Sequence, residues 1–124
     1  MPARTPEEAH QRFAEAFSSG DLEALVALYE PEASLVPQPG QVVTGREGIR
    51  QALQVFLALK PRIKLETKRV TQAGDIALLC SKWSLTGTGP DGMATQISGN
   101  GIEVVRRQPD GTWRFIIDQP FGAD

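Results

Sequence analysis

The order in which hydrophobic periodicities appear along the chain constrains its fold most. Apolar residues recur every three or four positions through most of the first half, and alternate between turn residues through the second. His10, Phe13, Ala14 and Phe17 form one helical stripe. Thr5 and Glu8 make a capping box around Pro6, and Ser19-Gly20 supplies a flexible stop, so a helix is predicted over 6–18. Asp21 caps a second helix whose Leu22, Leu25, Val26 and Tyr29 share a face until Pro31. Ser34-Leu35-Val36 and Gln41-Val42-Val43 flank Pro37-Gln38-Pro39-Gly40 and read as a small hairpin. Thr44 and Glu47 form another capping box, opening a third helix that buries Ile49, Ala52, Leu53 and Phe56 and ends before Pro61.

Beyond Pro61 the pattern predicts strands near 63–71, 76–86, 93–107 and 112–119. Ala73-Gly74-Asp75 and Pro109-Asp110-Gly111 are hairpin turns, and residues 87–92 a longer loop. Helices first and strands afterwards give an α+β fold, with three helices packed on one face of an antiparallel sheet. A chain of 124 residues fits one domain, spanning 1–124. The strand from Ile76 is apolar on both sides: Ile76, Leu78 and Cys80 on one, Ala77, Leu79, Trp83 and Leu85 on the other. Helices cover only one face, so a homodimer through the other is expected, against the alternative of a monomer with scattered surface hydrophobes.

A formal charge of -2 gives little attraction to a phosphate backbone, which argues against nucleic acid as a partner. A composition 40% hydrophobic and 23% charged describes a globular protein and not a membrane span, and no apolar stretch follows Arg4 to act as a secretory signal, so a cytoplasmic location is expected. Cys80 is the only cysteine, which excludes an internal disulfide or a Cys-rich zinc site and reads as a small buried apolar residue. No Gly-rich phosphate loop precedes a helix, so no cofactor is implied.

The segments Arg12-Phe13-Ala14-Glu15-Ala16-Phe17-Ser18-Ser19-Gly20-Asp21-Leu22, Leu28-Tyr29-Glu30-Pro31-Glu32-Ala33 and Gly45-Arg46-Glu47-Gly48-Ile49 resemble the nuclear transport factor 2-like superfamily. It includes ketosteroid isomerase, SnoaL polyketide cyclases, limonene epoxide hydrolase and scytalone dehydratase. The ending Asp110-Gly111-Thr112-Trp113-Arg114-Phe115-Ile116-Ile117-Asp118-Gln119-Pro120-Phe121-Gly122 looks most like the SgcJ/EcaC branch of SnoaL-like proteins. The resemblance implies a cone-shaped fold with a pocket between helices and bent sheet. It also implies positions for the isomerase groups: Phe13 stands where a tyrosine is needed, the base position falls near Pro37, and the later acid near Gly101 or Ile102. None can perform that chemistry, so steroid isomerisation by that route is disfavoured.

Asp118, on the last strand among apolar neighbours and alternating with Ile116 and Arg114, is the candidate acid-base group, because burial raises a carboxyl pKa. Asn100, between Gly99 and Gly101, is a second candidate, placed to orient a substrate oxygen where glycines permit close approach. Phe13, Phe17, Tyr29, Leu53, Phe56, Trp83, Ile102 and Phe121 are the expected ligand-binding residues. His10, the only histidine, reads as a packed or boundary residue, and no metal site is expected. Ser81, Ser84 and Ser98 lack the context of a nucleophile, and Lys60, Arg62, Lys64, Arg69, Arg106 and Arg107 read as solvated charges. The functional expectation is a pocket protein for a small apolar or aromatic metabolite, with a cofactor-free isomerase, cyclase or lyase reaction at Asp118. The alternative is a non-catalytic ligand-binding or dimeric interaction domain.

Overall fold

The structure, a computed structural model, describes residues 2–124, leaving Met1 outside the described residues. Helix α1, Glu8–Ser18, starts two residues later than its capping signal predicts. Thr5 Oγ1 still accepts from Glu8 N–H at 3.3 Å, while the Glu8 carboxylate accepts from Arg4 N–H at 3.1 Å. Helix α2, Leu22–Ala27, is capped as expected, with Asp21 Oδ1 accepting from Ala24 N–H at 3.1 Å. It stops short of Tyr29, which instead opens strand β1, Tyr29–Gln38. Pro31 is therefore a strand residue, exposed where the pairing register breaks between Tyr29 and Ser34, the kind of place a strand tolerates proline. Strand β2, Gln41–Thr44, completes the expected hairpin. The second capping box does not form. Thr44 Oγ1 pairs with Ser34 Oγ at 3.0 Å, and Gly45, at φ 88°, makes the entry to helix α3, Arg46–Leu57.

Strands β3 (Arg62–Ala73), β4 (Ile76–Thr88), β5 (Ala94–Arg107) and β6 (Trp113–Gln119) follow as antiparallel hairpins. The six strands lie in the order β2-β1-β6-β5-β4-β3. β1 runs parallel to β6, so the sheet is mixed and not wholly antiparallel as expected. The parallel contact arises because β1 precedes α3 and returns beside the last strand, which no short-range turn signal reveals.

The core lies between the helices and one face of this sheet. Ala77, Leu79, Trp83 and Leu85 of β4 face the helices and are buried, as alternation predicts. The opposite set of β4 points away, leaving Leu78 42% exposed, and Ile117 of β6 is 40% exposed. Cys80 belongs to that outer set and is half-buried, so it is not the core residue that its apolar character suggested.

Two strands depart from simple alternation. In β3 the pairing passes from Thr67 opposite Ser81 to Arg69 opposite Cys80, making Lys68 an extra residue. In β6, Phe115 pairs with Val105 while Ile117 pairs with Val104, making Ile116 the extra residue. An inserted residue turns the next side chains to the opposite face and sharpens local twist. Asp118 consequently shares the helix-facing side with Phe115, and the predicted alternation with Arg114 and Ile116 does not hold.

Candidate functional site

A cavity of about 70 Å³ lies between α1, α3 and the inner face of the sheet. Its apolar wall begins with Phe13 and Phe17 of α1, stacked with ring centroids 5.5 Å apart. Leu53 and Phe56 of α3 close a second side. Trp83 and Phe115 contribute from the sheet, with Phe115 meeting Phe13 edge-on at 6.1 Å. These contacts follow from helical spacing over a pleated surface, where each element presents one apolar face.

Four polar side chains interrupt this wall: His10, Ser81, Glu103 and Asp118. All four are buried, Asp118 being 6% and Glu103 4% exposed. Glu103 and Asp118 are direct partners across β5 and β6, so both carboxyl groups project from the same face of the sheet. Tyr29, completely buried, donates its hydroxyl to Asp118 Oδ2 at 2.5 Å. Oδ1 has no hydrogen-bond partner among the described residues. Glu103 Oε1 lies 2.5 Å from His10 Nε2, and its other oxygen accepts from Ser81 Oγ at 3.3 Å. His10 Nδ1 in turn meets Thr67 Oγ1 at 2.7 Å. Both imidazole nitrogens are therefore engaged, which orients the ring and leaves neither free to bind a ligand directly.

Gly101 explains how the Glu103 carboxyl fits. A Cβ at Gly101 would overlap Glu103 Oε2 and sit 2.5 Å from Ser81 Oγ. The missing side chain is the space that the carboxyl group occupies.

Burial raises the Asp118 carboxyl from 3.8 to about 7, with the negative charge of Glu103 adding to the effect and the Tyr29 hydroxyl opposing it. The same burial, with the adjacent Asp118 charge, pushes the Tyr29 phenol well above its ordinary value. Tyr29 is thus a hydrogen-bond donor at neutral pH, and Asp118 is a carboxyl group divided between its two protonation states.

Five of the expected ligand-binding residues, Phe13, Phe17, Leu53, Phe56 and Trp83, lie together on the cavity wall with Asp118. Tyr29 stands behind the wall and reaches the site through Asp118. Phe121 packs against Trp83 at 5.3 Å and does not line the cavity. Ile102 and Asn100 alternate with Gly101 and Glu103, so they point to the opposite face of β5. Asn100 is exposed there, its amide donating to Asp124 Oδ1 at 2.9 Å, and it is not placed to orient a ligand in the cavity.

Sequence reasoning missed Glu103 and the polar role of His10. The usable signal was Glu103 on the same alternating set as Val105, with Gly101 before it. Placing the strand acid near Gly101 or Ile102 came within two residues and overlooked the carboxylate itself. No group of three or more His, Cys, Asp or Glu side chains suited to holding a metal occurs among the described residues.

No curated protein sequence matches the chain. Solved structures do resemble it. A ketosteroid isomerase-like protein from Erwinia carotovora atroseptica is 21% identical, with 93% of this chain and 95% of that one covered and a TM-score of 0.78. A nuclear transport factor 2-like superfamily protein from Salmonella enterica gives 20% identity, 91% and 84% coverage and a TM-score of 0.80. A nuclear transport factor 2-like protein with a cystatin-like fold from Novosphingobium aromaticivorans gives 22%, 91% and 76%, and 0.77. These likenesses establish the cone-shaped α+β fold and no activity. The model of the SnoaL-like domain matches residues 10–116, from the cavity histidine to the bulge of β6, and the chain belongs to that family.

Proposed function

We propose that the cavity takes up a small uncharged apolar or aromatic metabolite and that Asp118 moves a proton on it without a cofactor, in an isomerisation, cyclisation or elimination. The observation that carries this reading is a buried carboxyl group, raised to about 7, on the wall of an aromatic cavity. A general acid-base works best when its pKa lies near the working pH. Tyr29 holds one carboxyl oxygen and leaves the other for the ligand.

The wall also limits the ligand. Among the described residues no lysine or arginine lines the cavity, so a carboxylate or phosphate would meet carboxyl groups without a compensating cation. An engineered apolar cavity that holds benzene measures roughly 150 Å³, about twice this one. The reading therefore favours a single ring, accommodated by movement of the half-buried Phe13 and Phe56, over a polycyclic compound. A cytoplasmic location belongs to the same proposal and is tested by fractionation.

The direct experiment is carbon-bound hydrogen exchange. A panel of neutral one-ring enolisable ketones is incubated in D₂O with the protein, and deuterium incorporation is followed by NMR. Wild type should accelerate exchange on at least one member, and Asp118→Asn should lose roughly two orders of magnitude or more of that rate. Equal rates for the two proteins would remove the proton-transfer role. Mass spectrometry of a copurifying ligand tests its chemical class independently.

A further inference from the structure

Strand β1 has a gap in its pairing at the residue that holds Asp118. Phe115 N–H bonds to the carbonyl of Leu28 at 2.8 Å, so the next carbonyl along β1, that of Tyr29, turns to the opposite edge of the strand. β2 pairs with that edge only from Ser34 onward, which leaves no strand beside Tyr29 there. Tyr29 is completely buried, and a buried carbonyl needs a donor from somewhere else.

The start of α3 provides it. Arg46, the first residue of that helix, donates from Nε at 3.2 Å and from Nη2 at 2.9 Å to the Tyr29 carbonyl. Its neighbour Gly45 donates its backbone N–H to the Ala33 carbonyl at 2.9 Å. The two contacts bracket residues 29–33, the stretch of β1 that contains the exposed Pro31 and Glu32. A planar guanidinium that sends two donors to one oxygen fixes that oxygen in direction as well as distance.

What this anchor holds is the outer end of the acid-base site. The Tyr29 ring lies 5.4 Å from that of Phe115, and its hydroxyl donates to Asp118 Oδ2. Asp118 is delivered by β6 and Tyr29 by β1, and the register between these strands breaks between Tyr29 and Ser34. Regular pairing therefore does not carry the alignment of Asp118 with Leu35 back to Tyr29. Contact with Phe115 restrains the tilt of the phenol ring, whereas its reach toward Asp118 is set by where the Tyr29 backbone is held.

We propose that Arg46 is a positioning residue of this site: by fixing the Tyr29 carbonyl it sets the reach of the phenol, locks the Asp118 carboxyl through Oδ2 and keeps Oδ1 turned to the ligand. Arg46 does not itself line the cavity, so it acts on the carboxyl only through Tyr29. The inference rests on the proton-transfer reading of Asp118 and adds the residue that orients its carboxyl group.

The test reads Asp118 directly, through its carboxyl ¹³C signal, and needs no substrate. The ionisable groups around Asp118 are Tyr29 from β1, Glu103 from β5 and His10 from α1, with the neutral Ser81 from β4. β3 and α3 present only the apolar Ile63, Leu65, Leu53 and Phe56 there, and a change at Arg46 alters none of these groups. The Tyr29 hydroxyl favours the ionised carboxyl, so weakening its bond should lift the Asp118 midpoint. Arg46→Met should raise it by roughly half a pH unit, a threefold change in proton affinity. Tyr29→Phe should raise it by about one unit, and adding Arg46→Met to Tyr29→Phe should change nothing further. Arg46→Gln, whose amide nitrogen falls near the place of Nε, loses the charge but keeps a donor and should leave the midpoint near that of wild type. An unmoved midpoint in Arg46→Met overturns the proposal. So do equal shifts in Arg46→Met and Arg46→Gln, or a shift that persists without the Tyr29 hydroxyl, since both would trace the effect to charge alone. Should Arg46→Met fail to fold, the native side chain gives a second readout. The Nε–H signal of Arg46 should follow the Asp118 midpoint in wild type and lose that inflection in Tyr29→Phe, and a signal blind to Asp118 in wild type overturns the proposal. None of these results depends on turnover, so loss of the catalytic role of Asp118 and loss of this positioning are read separately.

Discussion

Replacing Asp118 by asparagine should stabilise the protein increasingly as pH rises. In the unfolded chain this carboxyl has its ordinary value of 3.8, and in the folded protein burial raises it to about 7. The native state therefore binds more protons between those values, and stability falls as pH rises through that window. Below 3.8 the aspartic acid carries no penalty. At pH 5 the difference amounts to roughly 2 kcal/mol, and at pH 8 to roughly 4 kcal/mol, at 1.36 kcal/mol per pKa unit. The substituted amide would keep an oxygen for the Tyr29 hydroxyl and never ionise, so the variant avoids this term. Its advantage over wild type should grow by about 2–3 kcal/mol from pH 5 to pH 8, or roughly 8 °C in Tm for a domain of this size. Urea denaturation of both proteins at the two pH values measures the gap. A gap that stays constant across the range would show that Asp118 ionises normally in the fold, and would remove the basis for its acid-base role.

Further outcomes follow from the geometry around it. Gly101→Ala should displace the Glu103 carboxyl and cost about 1–3 kcal/mol, because its Cβ would sit 2.5 Å from Ser81 Oγ, as measured by chemical denaturation. Phe17→Ala, at a position only 3% exposed, should cost about 3–5 kcal/mol while enlarging the cavity, and the variant should gain affinity for a bulkier neutral aromatic in calorimetry. The homodimer expected from the sheet is tested by Leu78→Lys together with Ile117→Lys. Both side chains are already 40% or more exposed on the outer face, so a sedimentation shift to monomer without loss of Tm is the expected result, and an unchanged sedimentation coefficient counts against that interface.

The helical half was readable because its signals are local. Asp21 caps the helix that it was expected to cap, and the α1 stripe of His10, Phe13 and Phe17 meets the cavity as its spacing implies. Tyr29 misled because its spacing from Val26 continues a helical face, yet it begins a strand whose partner lies more than eighty residues away in β6. Long-range pairing overrides local periodicity in such segments. The Asn100 and Ile102 assignments failed for a different reason. A glycine-flanked strand segment signals close approach but not which face is approached: Gly101 is approached by the Glu103 carboxyl and the Ser81 hydroxyl, and Gly99 by the Phe121 and Trp83 rings and the Pro120 carbonyl.

Asp118 shows most clearly where pattern reading stops. Strict alternation from Phe115 would turn residue 118 outward with Arg114 and Ile116. The one-residue bulge at Ile116 reverses that outcome and pairs Asp118 with Glu103 on the inner face. Residue composition near the end of β6 therefore identified a candidate carboxyl, while its usefulness depends on a backbone irregularity that alternation does not encode. The bulge also connects the separate features of the site. It brings Asp118 beneath the Tyr29 hydroxyl, sets it beside a carboxylate already held by His10, and leaves Phe115 facing Phe13 across the cavity. Straightening β6 would preserve every one of these residues and most of the fold, yet would separate the acid from the groups that raise its pKa.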